Sequence, residues 1–323
     1  MDVCGIGSAL VDILVEATPD QVADAGLIKG SMQLMDLDEA ARIHAAVPGG
    51  IQRSGGSCAN TIAGVAALGG DAGFIGRVAG DDFGGVFAAD LDAVGVRFGA
   101  FGRGAVGGTG RCLILVTPDG DRTMCTTLGV ASHLGPDDLD GSLIESAHIT
   151  YLEGYLWDEP EAIEALRSAI EVAHRAGRRV ALTLSDAFCV DRHRDAWAPL
   201  IASEIDLLFG NEAEVCSLTG TSSVEDAIVA MRRDGLLVTV TMGPAGALAF
   251  DGGGPVVSQP ATPVDAVIDT TGAGDLYAAG FLFGLVRHMP VEECVRLGTI
   301  CAGECISHIG ARPEADLAQL ISA

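Results

Sequence analysis

The sequence is poor in basic residues. It has 19 lysines and arginines against 44 aspartates and glutamates in 323 residues, a formal net charge of −25 at pH 7. A field of this sign repels nucleic acids and anionic membrane surfaces, so we expect neither as a partner. An anionic nucleotide could bind only at a local cluster of hydrogen-bond donors, together with a divalent cation. Solubility is the ordinary explanation of so large a charge.

Signals for export, disulfides and membrane insertion are also lacking. The nine cysteines are scattered, form no C-x-x-C pair and are odd in number. With no N-terminal signal peptide, this pattern predicts reduced thiols and a cytoplasmic protein. No apolar run reaches the roughly 20 residues that a membrane-spanning helix needs.

Three common site motifs are missing as well. The seven histidines form no H-x-x-x-H or H-E-x-x-H pattern, which favours structural or surface roles for them. No G-x-x-x-x-G-K-[ST] occurs, so a P-loop ATPase is not supported. The stretch "GIGSAL" begins like a dinucleotide fingerprint, but Leu10 stands where the third glycine should be. A dehydrogenase is therefore disfavoured.

What the sequence has is an alternation of short apolar strands with helix-length amphipathic segments. This rhythm predicts an α/β fold, a doubly wound, mostly parallel sheet with helices on both faces, and 323 residues suit one large domain. The predicted strands are 1–7, 71–79, 147–154, 178–185 and 204–210, with a closing pair at 236–242 and 246–254. The predicted helices lie near 57–68, 82–94, 159–176, 211–218, 272–287 and 291–307.

Two regions break this rhythm with extra β-like pieces. The N-terminal pieces 9–17 and 31–36 fit no βαβ unit, and 109–127 reads as a hairpin around the turn 118–121. We predict that segments of about 8–35 and 97–130 form a small inserted sheet. Such a sheet could act as a lid that excludes water, or it could be a structural insertion only.

The stretch "DTTGAGDLYAAGFLFGLV", residues 269–286, carries the strongest chemical signal. Asp275 is the only charged residue from Thr270 to Val286, at the start of a helix apolar enough to be buried. The small residues Gly272, Ala273 and Gly274 would begin this helix, where free backbone amides make an anion site. Asp275 could accept a proton from a hydroxyl beside that anion, or it could simply complement the helix dipole.

"DTTGAGD" before a long apolar helix resembles the second signature of the PfkB family of carbohydrate and nucleoside kinases. "GGSCANTIAGVAALGG", residues 55–70, resembles the first signature of the same family, and the two stand in the right order. The resemblance covers essentially the whole chain. It implies a ribokinase-like fold and an ATP-dependent kinase, with Asp275 as the catalytic base and Gly272, Ala273 and Gly274 as the anion hole.

The resemblance also implies an acceptor site. Asp12, Gly56 and Asn60 match residues that hold sugar hydroxyls in the family. Gln33 and Tyr155 match pocket positions of the adenosine kinase branch, where an aromatic ring stacks on the base. A nucleoside such as adenosine is thus the expected acceptor, with a free sugar (ribose, fructose or 2-keto-3-deoxygluconate) as the alternative. A phosphorylated acceptor is disfavoured because the pocket-forming segments are poor in lysine and arginine. A catalytically silent nucleoside-binding regulator is a further possibility.

On the nucleotide side, "GNEAEV" matches the family's N-x-x-E pattern, which implies that Asn211 and Glu214 organise Mg²⁺, water and ATP phosphates. The same residues also read as a helix capping box. The other positions implied to face the nucleotide are Thr241, Gly243, Gly246 and the lid arginine Arg122, which could equally be an exposed hairpin residue. Asp269 and Thr271 match positions that hold a monovalent cation, so K⁺ is an expected further cofactor. A monomer and a homodimer are both compatible with the sequence.

Overall fold

The fold was analysed in a computed structural model that describes residues 1–99, 107–119 and 121–322. Its strands are β1 (Val3–Ile6), β2 (Leu10–Glu16), β3 (Met32–Leu34), β4 (Ile51–Gly55), β5 (Ala72–Ile75), β6 (Arg97–Phe98), β7 (Gly110–Val116), β8 (Arg122–Thr127), β9 (Ile149–Glu153), β10 (Arg179–Thr183), β11 (Leu207–Asn211), β12 (Leu237–Thr241), β13 (Ala247–Asp251) and β14 (Val257–Gln259).

The helices are α1 (Pro19–Asp24), α2 (Leu37–Ala46), α3 (Ser57–Ala67), α4 (Asp82–Ala93), α5 (Gly141–Ser146), α6 (Pro160–Arg175), α7 (Ala187–Ser203), α8 (Glu212–Thr219), α9 (Val224–Met231), α10 (Ala273–Val286), α11 (Val291–Cys305) and α12 (Leu317–Leu320). Within the described ranges, none of these helices combines the length and the apolar character that a membrane crossing requires.

A nine-stranded sheet forms the centre of the molecule, in the order β14-β13-β12-β11-β10-β9-β1-β5-β6. The neighbouring strands from β12 through β9 and β1 to β6 pair in parallel, whereas β13 runs antiparallel to both of its neighbours. Alternate side chains bury on opposite faces: Tyr151 and Phe209 pack in the core that includes α3 and α10. Leu152 and Leu208 pack in the core that includes α6 and α7. Burial on both faces explains why these strands are almost uniformly apolar.

A second sheet of five strands, in the order β3-β8-β7-β2-β4, lies at one edge of this core. The predicted hairpin is confirmed, because β7 and β8 pair antiparallel from Arg111–Thr127 to Val116–Arg122. Two details differ from the prediction. Strand β4 joins the small sheet through β2, and β6 pairs with β5 in the large sheet. The predicted lid range also includes residues 100–106 and 120, which lie outside the described residues.

The inner face of the small sheet carries two rows of side chains. In the first row Asp12 stands opposite Arg53 of β4. In the second row Leu14 stands opposite Ile51 of β4 and Ile114 of β7. Because strand side chains alternate between faces, all five project on the same side. The small sheet therefore presents one polar and one aliphatic row towards the large sheet.

Helix α10 is the buried axis of the site region. Its residues 276–285 are all buried, and it packs between α3 and α11. Close approach depends on small residues: a Cβ on Gly64 would lie 2.7 Å from Ala279 Cβ, and one on Gly280 would lie 2.6 Å from the Leu297 carbonyl oxygen. This packing fixes the start of α10, and with it Asp275, relative to α3.

Candidate active site

Asp275 lies in the first turn of α10 and is held by two side chains of α3. Its Oδ1 accepts a hydrogen bond from Ser57 Oγ at 2.6 Å, and its Oδ2 accepts one from Asn60 Nδ2 at 3.0 Å. Burial raises the pKa of Asp275 to about 6, while the bonds from Ser57 and Asn60 and the charge of Arg312 lower it. The carboxylate is therefore ionised at neutral pH and has a pKa suited to proton transfer.

The turn before α10 has the geometry of an anion site. Gly272 caps the helix at φ 79°, a left-handed conformation that glycine adopts without strain. Any side chain at this position would collide with Ala311. Gly274 faces open space, with nothing near the position of a Cβ. The Ala273 amide donates to the Thr270 carbonyl at 3.2 Å, whereas the next amides of α10 lack intrahelical partners, so they can donate to an anion that approaches over Gly274.

Asn60, which donates to Asp275, also lines a cavity of about 270 Å³, the acceptor cavity, together with Asp12, Arg122, Thr271 and Arg312. Burial raises the pKa of Asp12 to about 7, and the Arg312 charge lowers it. A side chain at Gly55 would collide with the Asp12 carboxylate. The double glycine of the first signature thus gives the acidic side chain its space.

Gly56 caps α3 at φ 96°, and a Cβ there would collide with the Ser8 carbonyl oxygen. The Gly56 carbonyl accepts from the Asn60 amide at 2.9 Å, so this turn also orients Asn60. The Asn60 Oδ1 is buried and has no hydrogen-bond partner in the described part of the chain. An acceptor atom left free at this point is available to a ligand hydroxyl.

Two residues that the sequence placed in the acceptor site lie elsewhere. Gln33 pairs with Cys125 in the ladder, so it projects from the opposite face of the small sheet, and its amide donates to Ser31 Oγ at 3.4 Å. Tyr155 lies in the 3₁₀ turn Gly154–Asp158 and its hydroxyl donates to the Ser185 carbonyl at 3.4 Å. Neither residue lines the acceptor cavity. Gln33 was misplaced because its direction depends on a strand register that the sequence does not show, and Tyr155 because it lies in a 3₁₀ turn after β9.

Aliphatic side chains line the far part of the acceptor cavity instead. They are Leu14, Ile51, Ile114 and Ile309. Ile51 is 62% exposed and Ile309 is 45% exposed, which is costly unless something covers them. Three arginines line the same cavity, Arg53, Arg122 and Arg312. The expectation of a pocket poor in basic residues was therefore wrong, because arginines distant in the sequence converge there.

Asp275 itself lines a smaller cavity of about 90 Å³, the phosphate cavity, where the carboxyl ends of β10, β11 and β12 meet. Asn211 and Glu214 form the predicted capping box: Asn211 N and Nδ2 donate to Glu214 at 3.0 and 2.6 Å, and Glu214 N donates to Asn211 Oδ1 at 2.9 Å. Burial raises the pKa of Glu214 to about 7. Glu214 and Asp275 are the two charged residues of this lining.

No cluster of three or more potential metal ligands exists among the described residues. This does not conflict with magnesium binding, since Mg²⁺ keeps several waters and is usually held by one or two carboxylates together with substrate phosphates. Glu214, one of the two carboxylates that line the phosphate cavity, is suited to that mode of binding.

A third cavity, the base cavity, has a volume of about 530 Å³ and lies beyond the phosphate cavity. It includes Thr241, Gly243 and Gly246, the three residues predicted to border the nucleotide. Gly246 has φ 97°, and a Cβ there would collide with the Gln259 carbonyl oxygen. The described lining contains no charged side chain and shares Gly274 with the phosphate cavity. The phosphate and base cavities therefore adjoin at the start of α10.

Arg122 links the small sheet to the loop before α10. Its Nη1 lies 2.5 Å from Asp269 Oδ2 and 3.5 Å from Thr271 Oγ1. Asp269 also accepts from the amides of Thr271 at 3.1 Å and Gly310 at 2.8 Å. The Arg122 side chain is 11% exposed, and its Nη2 has no partner among the described residues. Arg122 is thus a half-buried residue of the site, and it already neutralises the carboxylate predicted to hold a monovalent cation.

Sequence reasoning missed two further residues of the site. Ser57 lies inside the first signature, as the first residue of the helix that carries Asn60, so its position was a usable signal. Arg312 lies in "SHIGARP", a stretch that matched no clear pattern. Its proximity to Asp12 and Asp275 comes entirely from the tertiary fold.

The doubly wound sheet, the glycine turn and the carboxylate beside it define a phosphotransferase that acts on an alcohol. The profile of the pfkB family of carbohydrate kinases matches residues 28–317. An ATP-dependent ribose-1-phosphate kinase of Halopiger xanaduensis is 34% identical over 269 residues, 82% of this chain and 85% of that one. The chain therefore belongs to the pfkB carbohydrate kinase family.

Solved structures agree with this assignment. The adenosine kinase of Sinorhizobium meliloti is 42% identical and superposes with a TM-score of 0.89, covering 98% of this chain and 97% of that one. A probable sugar kinase of Rhizobium etli is 39% identical with a TM-score of 0.90, covering 99% and 97%. The predicted family and ribokinase-like fold are confirmed.

Proposed function

We propose that the protein transfers the γ-phosphoryl group of ATP to the primary hydroxyl of a ribose-containing acceptor, most plausibly a nucleoside such as adenosine. One observation carries the proposal. Asn60 lines the acceptor cavity and donates to Asp275 Oδ2, while Asp275 itself lines the phosphate cavity, beside the amides that begin α10. A hydroxyl in the first cavity and a phosphoryl group in the second would therefore meet at this carboxylate.

In the proposed reaction the acceptor hydroxyl gives its proton to Asp275 as its oxygen attacks the γ-phosphorus. The bond from that phosphorus to the bridging oxygen of ADP breaks, and ADP leaves with the bonding electron pair. The amides around Gly272, Ala273 and Gly274 would stabilise the transferring group, which is where catalysis of phosphoryl transfer chiefly arises. Asp12 and Asn60 would orient the sugar hydroxyls, since a carboxylate accepts and an amide both donates and accepts.

ATP and Mg²⁺ are the proposed donor and cofactor. The uncharged base cavity suits a nucleobase, while both charged groups of the phosphate cavity, Glu214 and Asp275, are acidic. Mg²⁺, when bound near Glu214, would neutralise the phosphates and hold them in line. For K⁺ to bind at Asp269 and Thr271, the Arg122 guanidinium would have to leave the Asp269 carboxylate or share it with the ion. A cytoplasmic location is proposed from the nine unpaired thiols, and a monomer or homodimer remains the proposed state.

The two rows of the small sheet support a nucleoside over a free sugar. The polar row, with Asp12, suits ribose hydroxyls, and the aliphatic row of Leu14, Ile51 and Ile114 suits the flat face of a base. Ligand sites commonly combine an apolar wall with a few placed polar groups. A free pentose would leave the aliphatic row uncovered. The 42% identity to the Sinorhizobium adenosine kinase points the same way.

A second candidate is a sugar carrying an anionic group. Arg53 of the polar row takes part in no hydrogen bond or ion pair within the described part of the chain, and Arg122 Nη2 is buried without a partner. Guanidinium groups recognise phosphate well. The Halopiger relative, named as a ribose-1-phosphate kinase, is consistent with this alternative.

The two candidates are separated by an acceptor panel. ADP release with Mg²⁺ and ATP would be measured for adenosine, inosine, guanosine, cytidine, ribose, fructose, 2-keto-3-deoxygluconate and ribose 1-phosphate, with the product identified by ³¹P NMR. We expect the highest kcat/KM for a nucleoside. Turnover of ribose 1-phosphate without any nucleoside would select the second candidate, and turnover of free ribose alone would contradict both.

A further inference from the structure

A segment at residues 310–315 forms one wall of the acceptor cavity and is held at both ends. The Gly310 amide donates to Asp269 at 2.8 Å, and the Glu314 amide donates to Glu304 Oε1 at 2.8 Å. Between these two anchors Arg312 projects towards the start of α3. Its position is therefore set by the backbone rather than by a mobile loop.

The four hydrogen bonds of the Arg312 guanidinium brace the junction of β4 and α3. Nε and Nη2 donate to the Ser54 carbonyl at 3.3 and 3.0 Å, Nη2 also donates to Ser54 Oγ at 2.6 Å, and Nη1 donates to the Ala59 carbonyl at 3.0 Å. Ser54 in turn donates its amide and hydroxyl to Asp90 of α4. Ala59 directly precedes Asn60, the residue that donates to Asp275.

The oxygens that Arg312 contacts are all uncharged, so its positive charge is not cancelled at close range. Burial lowers the pKa of Arg312 to about 10, and the charges of Asp90, Asp12 and Asp275 raise it, so the group stays protonated near neutral pH. In return Arg312 lowers the pKa of both Asp12 and Asp275. The same guanidinium thus acts on the two carboxylates that face the acceptor.

We propose that Arg312 is a positioning residue for phosphoryl transfer: it braces the turn that presents Asn60, and its charge holds Asp275 as a carboxylate ready to accept a proton. The inference rests on the proposed function, in which Asp275 is the base. Other titratable groups lie near Asp275, and its charge raises the pKa of most of them. These are Asp12 of β2, Cys58 of α3, Tyr151 and Glu153 of β9, and Cys305 of α11. Glu214 lines the same phosphate cavity.

The test compares Arg312→Met, which removes the charge, with Arg312→Lys, which keeps the charge but loses the forked hydrogen bonds. The acid limb of kcat/KM reports the base in the free enzyme. We expect Arg312→Met to move this limb upward by about one pH unit, in line with the loss of a nearby opposite charge. Arg312→Lys should leave the limb near its wild-type position while lowering kcat. Arg296→Met, at a surface ion pair with Glu293, is the matched control and should leave the profile unchanged.

A second readout does not depend on activity. The Asp275 carboxyl of the ligand-free protein would be titrated by ¹³C NMR, its signal identified by its loss in Asp275→Asn. A matching upward shift in Arg312→Met supports the proposal. The proposal would be overturned if folded Arg312→Met shifted neither the Asp275 titration nor the acid limb of kcat/KM. It would also be overturned if Arg312→Met and Arg312→Lys lost kcat equally and neither shifted the acid limb. If the wild-type protein phosphorylates nothing, the proposed function fails, and the titration alone then decides whether Arg312 controls this carboxyl.

Discussion

At the scale of single residues, Asp275 shows how a costly placement becomes useful. A carboxylate at the start of an apolar helix loses hydration, and burial accordingly raises its pKa to about 6. Ser57 and Asn60 donate to both oxygens and keep the charged form accessible. The result is a carboxylate whose pKa lies just below neutrality, the range in which a general base would work best.

Replacing this carboxylate tests its role directly. We expect Asp275→Asn to lower kcat by about 10²- to 10⁴-fold, the usual contribution of a positioned base, with little change in acceptor affinity. Steady-state kinetics with the preferred acceptor and calorimetric binding of that acceptor would measure both quantities.

The matched control for this change is Glu292→Gln, which removes an acidic group from the first turn of the neighbouring helix α11. If both variants stay fully active, Asp275 serves only the helix dipole. If both lose activity alike, the loss reflects helix stability rather than proton transfer.

At the scale of elements, the small sheet presents a polar row and an aliphatic row, which under the proposed function would select the acceptor. The rows exist because β2 pairs with β4 on one side and β7 on the other, in registers that align Leu14 with Ile51 and Ile114. Ile51 is on an edge strand and is 62% exposed, so it contributes little to the core. Its burial against a base would instead contribute to binding.

Ile51→Ser therefore separates binding from folding. We expect KM for the preferred nucleoside to rise about tenfold, which corresponds to about 1.4 kcal/mol of lost apolar burial. The free energy of unfolding in urea should change by less than about 0.5 kcal/mol.

Val229→Ala, at an equally exposed position on α9, is the control and should alter neither quantity. An unchanged nucleoside KM in Ile51→Ser would show that the base does not lie on the aliphatic row.

Some secondary-structure elements could be predicted from the sequence and others could not. The central strands and helix α10 were predictable because their apolar runs are long and bounded by glycine turns. Helix α7 was missed because it contains Pro199 and several charged residues on a weakly amphipathic surface. The acceptor site was only partly predictable: motif residues such as Asp12 and Asn60 converge, whereas Gln33 projects away because a shift of one residue in a strand reverses the face.

At the scale of the whole molecule, four carboxyl groups converge at the carboxyl ends of the central strands in an already acidic protein. Burial raises the pKa of Asp12, Glu153 and Glu214 to about 7 and that of Asp275 to about 6. The folded state binds these protons more tightly than the unfolded chain does. The free energy of unfolding therefore falls as pH rises from the carboxyl pKa values of the unfolded chain to those of the folded protein. The site is thus a source of instability at neutral pH.

Glu153 offers the clearest test of this cost, since it is 1% exposed and its Oε2 accepts from the Cys58 amide at 2.9 Å. Glu153→Gln keeps an acceptor but removes the charge. The unfolding free energy of Glu153→Gln minus that of the wild type should increase as pH rises from 4.5 to 7. The increase should reach up to about 3 kcal/mol for a pKa shift of this size.

Urea unfolding at several pH values would measure this difference, with Glu164→Gln, an exposed change on α6, as the control. A difference between Glu153→Gln and wild type that does not vary with pH would contradict the assignment.

The acidic lining of the phosphate cavity has a consequence for turnover under the proposed function. After transfer, Asp275 holds the proton taken from the acceptor, and the new phosphate ester lies beside a neutral group. Once that proton escapes to solvent, like charges face each other across a poorly hydrated gap, where repulsion is strong. Regeneration of the base would then itself help to expel the product.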